Sequence, residues 1–425
     1  MGVHRLGTVL LFGSMLITAL GISAVVFRSE DRETVAVTDM GFCMGPAALG
    51  IIEHHKLGFP DPQFGWWTYA GRMPVIPVAA ALVSVISRRF WVYFFLKNLI
   101  CWSCWVIGIL RLRRQYGIPD KLVLLTAAVV ILVPYNGNIA SHPEIEEGYL
   151  VAMLGLLYAL LLTARETVDF VEISALVALV YLTKSSMALI CVVTVMWVAA
   201  VQVRKSIVRA MLPAVGLGLA VLAWGAYIFA MTGVFAIGAN ESSWNGWNYY
   251  KGNNAYALAM YPRIPLDRLD DNYLLTPPGP MHNEWQLSHA QFAAGRDFAR
   301  SHRATVLRMG LRKLFVICCD LGESPERVEG HTRPLVAGSN VVNHLVMACS
   351  IILMGIRAWK KRWGRAETLA FILIAAYFPP YLASWVYMRH MVPMYSLMSI
   401  VLAVMLTKSG WVESHFYRVA EWSAK

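Results

Sequence analysis

Long apolar runs, each closed by polar or basic residues, decide what this chain can fold into. One fills residues 6–27 behind a short basic start, and others follow at 90–110, 122–134, 149–163, 170–182, 187–201, 210–231, 341–356, 369–387 and 391–406. About 20 apolar residues in a helix cross the hydrocarbon of a bilayer, with every backbone group bonded inside the segment. Only 15% of the residues are charged, against about a quarter in a soluble domain, and mean hydropathy is +0.53. These values exclude a cytosolic globular enzyme. The 31 Gly and 19 Pro show no period and aromatic residues reach 12%, which excludes fibrous and disordered chains. The first run is too long for the apolar core of a cleaved signal peptide and reads as the first span. The expected fold class is an all-α polytopic membrane protein with about ten transmembrane helices.

One further run, 75–87, is short, contains Pro77 and ends in Arg88-Arg89, which suits a helix lying in the membrane interface. Charge arbitrates its place. If it does not cross, the short loops on one side hold thirteen Lys and Arg, against two, Lys184 and Arg389, on the other. Basic residues gather in cytoplasmic loops, so the expected topology has both termini inside and two large loops outside. Crossing by 75–87 would reverse that bias. The organisation is then a transmembrane module at 1–231 with a first loop at 28–89, a large extracytoplasmic loop at 232–340, and C-terminal transmembrane helices with a short cytoplasmic tail at 341–425. Within the second loop, Leu307, Leu311, Leu314, Phe315 and Cys318 share one helical face, while Arg308, Arg312 and Lys313 lie elsewhere on the surface. That pattern is expected of an interfacial helix with its basic face toward headgroups. The net charge of +11 then faces anionic lipid and implies no nucleic acid.

Seven Cys make no disulfide framework. Cys101 and Cys104 stand inside an apolar run and read as core residues, and no zinc spacing occurs. Glu53-His54-His55 reads as a wet helix face, and Lys97 as a side chain snorkelling to the outer interface, with no functional role.

On this topology the outer side collects charged residues from remote stretches: Asp39 after the first span, then His142, Glu144, Glu146 and Glu147, then Lys184 in a tight turn, then Arg389 and His390. A carboxylate can take the proton of an attacking hydroxyl. Cations can hold a phosphate and stabilise the charge that grows on it as it leaves. The aromatic and amide residues of Trp244-Asn245-Gly246-Trp247-Asn248 suit the apolar face and hydroxyl rim of a sugar. Each residue alone has a plainer use. Asp39 would cap a helix, Glu144 and Glu147 would complement a helix dipole, Lys184 and Arg389 would snorkel, and the Trp residues would form an interfacial belt. Their convergence carries the argument for glycosyl transfer from a lipid phosphate.

Short motifs along the chain add a resemblance. Thr38-Asp39-Met40, Gly71-Arg72-Met73-Pro74, Glu147-Gly148-Tyr149-Leu150, Leu182-Thr183-Lys184, Lys251-Gly252-Asn253-Asn254 and Met388-Arg389-His390-Met391-Val392-Pro393 occur in an order that resembles the GT-C superfamily of membrane glycosyltransferases. The similarity is to prokaryotic relatives of the protein O-mannosyltransferases and of the transferase that puts aminoarabinose on lipid A. It implies an inverting transferase at the bacterial inner (plasma) membrane, acting on the periplasmic or extracellular side. The implied donor is a polyprenyl-phosphate sugar; the implied acceptor is a hydroxyl of a cell-envelope glycan, lipid or protein, reached among membrane lipids. In this reading Asp39 is the general base, and Lys184, Arg389, His390 and Arg72 clamp the phosphate. Trp244, Trp247, Asn248, Asn253 and Asn254 face sugar and acceptor. Met40 follows Asp39 where many members carry Glu, so a second acid must come from Glu144 or Glu147, which would position substrate or support a divalent cation if one is used. Two alternatives stay open: a lipid or small-molecule transporter, and a polymerase or ligase that moves a whole lipid-linked glycan.

Overall fold

Because most segments pair every backbone group within themselves, the computed structural model is almost wholly helical. It describes residues 2–29, 44–61, 65–87, 90–133, 136, 142, 145–239, 246–260, 282–319, 333–384, 386 and 388–409. Asp39, Glu144 and Trp244 lie outside these residues. In chain order the elements are α1 (Gly2–Ser29), α2 (Gly45–His54), β1 (Phe59–Pro60), β2 (Trp67–Thr68), α3 (Val75–Ile86) and α4 (Phe90–Tyr116). Then come α5 (Asp120–Ala127), prolonged by a π-helical turn (Ala128–Leu132), α6 (Glu146–Thr163), α7 (Thr167–Thr183), α8 (Ala188–Gln202) and α9 (Ile207–Thr232). The remainder are α10 (Gly246–Gly252), α11 (Ala255–Met260), α12 (Glu284–Ser301), α13 (Arg303–Cys319), α14 (Arg333–Trp359), α15 (Arg365–Ala383) and α16 (Val392–Lys408).

Among the described residues seven helices are long and apolar enough to cross a membrane: α4, α6, α8, α9, α14, α15 and α16. The other expected spans, 6–27, 122–134 and 170–182, are helical as α1, α5 and α7. The fold is that of an all-α polytopic membrane protein. The 12 residues of α3 extend only about 18 Å, short of the ~30 Å of bilayer hydrocarbon.

Helix α6 is apolar on every side and is buried on every side, with 89% of its residues inside the bundle. It packs along α4, where a Cβ on Gly108 would stand 3.1 Å from Leu156 Cα and 3.2 Å from Gly155 O. The missing side chain of Gly108 permits that approach, as small residues do between membrane helices. Helix α9 is peripheral and turns Val215, Leu219, Leu222 and Phe229 outward. Polar side chains start the helices that need starting. Asn283 accepts from Trp285 N at 3.1 Å and Gln286 N at 3.0 Å to cap α12, and Glu166 and Asp169 form a capping box on α7.

Strands β1 and β2 pair Phe59 with Thr68 and Pro60 with Trp67, folding the first loop into a small hairpin. Glu284, at the start of α12, accepts from Tyr69 N at 2.9 Å and Ala70 N at 3.1 Å. This carboxylate ties the first large loop to the second and fixes the backbone just before Gly71-Arg72. Cys101 is buried and Cys104 half-buried, and both are unbridged core residues, as their apolar setting implied. Glu53, His54 and His55 are exposed at the end of α2, as expected of a wet helix face.

Two lysines depart from expectation. Lys97 does not snorkel: it is buried, its Nζ donates to His142 O at 2.9 Å and stands 5.2 Å from the centre of the Tyr149 ring. A bundle with buried loop carbonyls can satisfy the ammonium internally. Lys313 does not face headgroups either. On α13, Leu307, Leu311 and Phe315 are exposed while Met309 and Lys313 turn into the protein, so the basic residues divide between two faces.

Candidate functional site

The carboxylates come from the first turn of α6. Ile145 is its N-cap, so Glu146 and Glu147 sit where negative charge complements the helix dipole, and both are buried. Capping alone does not require burial. The partner is Lys184, held extended (φ −151°, ψ 107°) between the end of α7 and the short 3₁₀ turn Ser185–Met187. Its Nζ donates to Glu147 Oε1 and lies 3.9 Å from Glu146 Oε2. Burial by itself would lower the pKa of Lys184. The charge of Glu147, with Tyr381 and Glu146 adding to it, outweighs burial and holds the ammonium above its ordinary value, so it is cationic throughout the neutral range.

Two further cations reach the same place. Arg72, delivered by the loop that Glu284 fixes, has its guanidinium 3.6 Å from Glu146 Oε1. The 3₁₀ turn Met388–Met391 brings Arg389 and His390 in from the other end of the sequence. His390 Nε2 is 3.7 Å from Glu147 Oε1. Its ring stacks on Tyr381, centroids 4.4 Å apart, and its carbonyl accepts from Tyr377 Oη. Lys184 Nζ lies 5.7 Å over the other partner in this stack, the Tyr381 ring. Tyr377 and Tyr381 are one turn apart on α15, so one helix face provides both supports.

These groups surround a partly open cavity, lined by Gly71, Arg72, Met73, Glu146, Thr183, Lys184, Ser185, Ser186, Ala239, Asn248, Tyr381, Arg389 and His390. Seven separate stretches of sequence contribute. Three cations, one lining carboxylate and a second one beneath it make a site suited to an anion with oxygens to share. The carboxylates keep the cations charged and aimed.

Of the expected site residues, Arg72, Lys184, Arg389, His390 and Asn248 line one cavity, and Glu147 lies against it. Asn253 and Asn254 do not line it. Asn253 Nδ2 donates to Tyr249 O at 2.8 Å and Ala383 O at 2.7 Å, and Asn254 Oδ1 accepts from Ala257 N at 2.7 Å to start α11. Trp247 is half-buried on α10 and is not among the lining residues. Asp39, Glu144 and Trp244 lie outside the described residues. Sequence reasoning missed Tyr377 and Tyr381, whose spacing within an apolar run reads as core, and it set Glu146 aside in favour of its neighbours.

Among the described residues no group of three or more His, Cys, Asp and Glu side chains is placed to hold a metal ion. No family model matches this chain, and no curated protein or solved structure matches it either.

Proposed function

We propose that the chain is a membrane glycosyltransferase which moves a sugar from a polyprenyl-phosphate donor to an acceptor hydroxyl on the extracytoplasmic side. The observation that carries this reading is the meeting of Arg72, Lys184 and Arg389 around one cavity at the end of α6. A cavity at helix ends suits a lipid headgroup whose chain stays in the bilayer; a transporter would need its polar groups and broken helices near mid-membrane.

In this mechanism the cations hold the donor phosphate, and Asn248 and the Ser185-Ser186 turn bound the space beside it. The acceptor oxygen attacks the anomeric carbon, its proton passes to the Asp39 carboxylate, and the bond from that carbon to the phosphate oxygen breaks. The phosphate leaves with the bonding electrons, its charge matched by Lys184 and Arg389. A sugar phosphate is an activated donor, so orientation, deprotonation and charge stabilisation are what the protein must add.

The test is binding and turnover of a labelled polyprenyl-phosphate sugar. Asp39→Asn should keep binding and lose turnover by about 10²- to 10⁴-fold, the range for a general base. Normal transfer by Asp39→Asn would remove the base from the scheme, and unchanged donor binding by Lys184→Met would remove the site. A cysteine introduced by Ser243→Cys should react with an impermeant thiol reagent from outside; labelling only after the membrane is opened would reverse the sidedness.

A further inference from the structure

The C-terminal end of α15 is capped in part from outside its own sequence. A helix leaves its last four carbonyls without internal partners; here Ser384 bonds Pro380 O and Tyr381 O from its N–H, both at 3.2 Å, and no glycine follows to turn back and bond the last two. Lys313 reaches in from α13 instead: its Nζ donates to Leu382 O at 3.3 Å, to Ser384 O, and to Gly252 O of α10 at 3.2 Å. Asn253 supplies the donor for Ala383 O. The approach is so close that a Cβ on Gly252 would stand 1.6 Å from Ser384 O, so no other residue fits there.

Lys313 is 1% exposed, and burial pushes its pKa down to about 7. Placing an amine there has a cost, and what offsets it is this set of three carbonyls from two elements, at the negative end of a helix dipole. Both elements reach the cavity. Tyr381, which stacks on His390 and lies under Lys184, is one residue before Leu382, and Arg389 follows Ser384 by five residues. Asn248, which lines the cavity, is one turn before Gly252 on α10.

We propose that Lys313 is a positioning residue of the cavity: from α13 it fastens the end of α15 to α10 and so sets the places of Tyr381, Arg389 and Asn248. That the cavity takes a phosphate rests on the proposed function; the fastening does not, and two readouts separate them.

The first needs no ligand. In the full-length protein carrying Asn248→Cys, the alkylation rate at position 248 by an impermeant maleimide, resolved from other cysteines by mass spectrometry, should rise about tenfold or more on adding Lys313→Met, the scale of losing a charge-assisted hydrogen bond. The second is the affinity for farnesyl phosphate, which Lys313→Met should weaken by a similar factor. Its loss should not add to that of Arg389→Ala, because Lys313 acts through the segment that carries Arg389. Met309→Ala, buried on the same face of α13, is the structural control and should lower thermal stability without moving either readout. An unchanged alkylation rate in Lys313→Met, or an equal rise in Met309→Ala, overturns the proposal. Full additivity with Arg389→Ala does so too. Should Lys313→Met fail to fold, Asn253→Ala removes the second donor to the same helix end and is read by the same outcomes. If the unsubstituted protein binds no farnesyl phosphate, the phosphate reading fails while the alkylation rates still decide the role of Lys313.

Discussion

The two ends of α6 both gather charged residues, and they use them differently. At the far end three arginines are bonded to carboxylates at close range: Arg111 to Asp169 at 2.8 Å and to Glu172 at 2.9 Å, Arg113 to Asp120 at 2.6 Å, and Arg357 to Glu367 at 2.6 Å. These carboxylates also bind backbone. Glu367 accepts from Gly364 N at 3.0 Å and Asp169 from Arg165 N at 2.8 Å, so each staples a helix start to its neighbour. At the near end Lys184 and Glu147 are in close contact. Arg72–Glu146, His390–Glu147 and Lys184–Glu146 stand 3.6, 3.7 and 3.9 Å apart, around open space. Charges in direct contact hold helices together. Charges spaced about a cavity hold a field, and a field of this sign attracts an anion.

Removing one buried partner at each end should have the largest effect. Arg357→Met removes the close partner of Glu367, which is 0% exposed and keeps Lys408 at 3.9 Å, and should cost about 3–5 kcal/mol of stability. Binding of farnesyl phosphate at temperatures where the variant is folded should be unchanged. Lys184→Met removes the close partner of Glu147 in the same way and should lower the thermal midpoint too, but it should also abolish binding. Loss of binding in both variants would mean that the ends do not differ in function.

Next in size are Arg389→Ala and Arg72→Ala. Each removes one charge-assisted contact to the anion, so each should weaken farnesyl phosphate binding by about tenfold or more with little change in melting temperature. A large stability loss in either would show that these arginines staple the fold, as Arg357 does. Smaller still is Arg111→Ala. Its pairs are partly exposed, so about 0.2–1 kcal/mol is at stake, read by thermal melting, and ligand affinity should not move.

What could be read in advance follows the range of the forces involved. Hydropathy is a local property, and helices occupy every one of the long apolar runs. The cations of the cavity were legible because Lys184 and Arg389 interrupt apolar sequence at helix ends, where a charge needs a reason. Lys313 was not, since on a helical wheel it differs little from Arg308 and Arg312, and only the packing of α15 and α10 against α13 distinguishes it. Asn253 and Asn254 present the converse case. Their amides suit a sugar by composition, but the chain uses them to cap α15 and start α11, a choice made by neighbours remote in sequence. Glu284 likewise means nothing until the backbone of Tyr69 and Ala70 arrives beside it.

The pH dependence of binding gives the finest test. Lys184 lies in the turn between α7 and α8, where burial would lower its pKa but the charge of Glu147 raises it further than burial lowers it. Its folded value therefore stands above the unfolded one, near 10.4. A group shifted that way contributes its full stability below the unfolded value and loses it only as pH rises through the folded value. Farnesyl phosphate affinity, read in Lys313→Met so that the amine pushed down to about 7 does not contribute, should accordingly stay flat from about pH 7 to about pH 10, and fall on the acid side as the phosphate takes up its second proton near pH 6. In the same background Glu147→Gln removes the largest charge that raises Lys184, leaves Tyr381 and Glu146 to oppose burial, and should bring an alkaline limb into that flat range. An alkaline limb already present in that background with Glu147 intact would mean that Glu147 does not hold Lys184 charged, and the two ends of α6 would then differ only in distance.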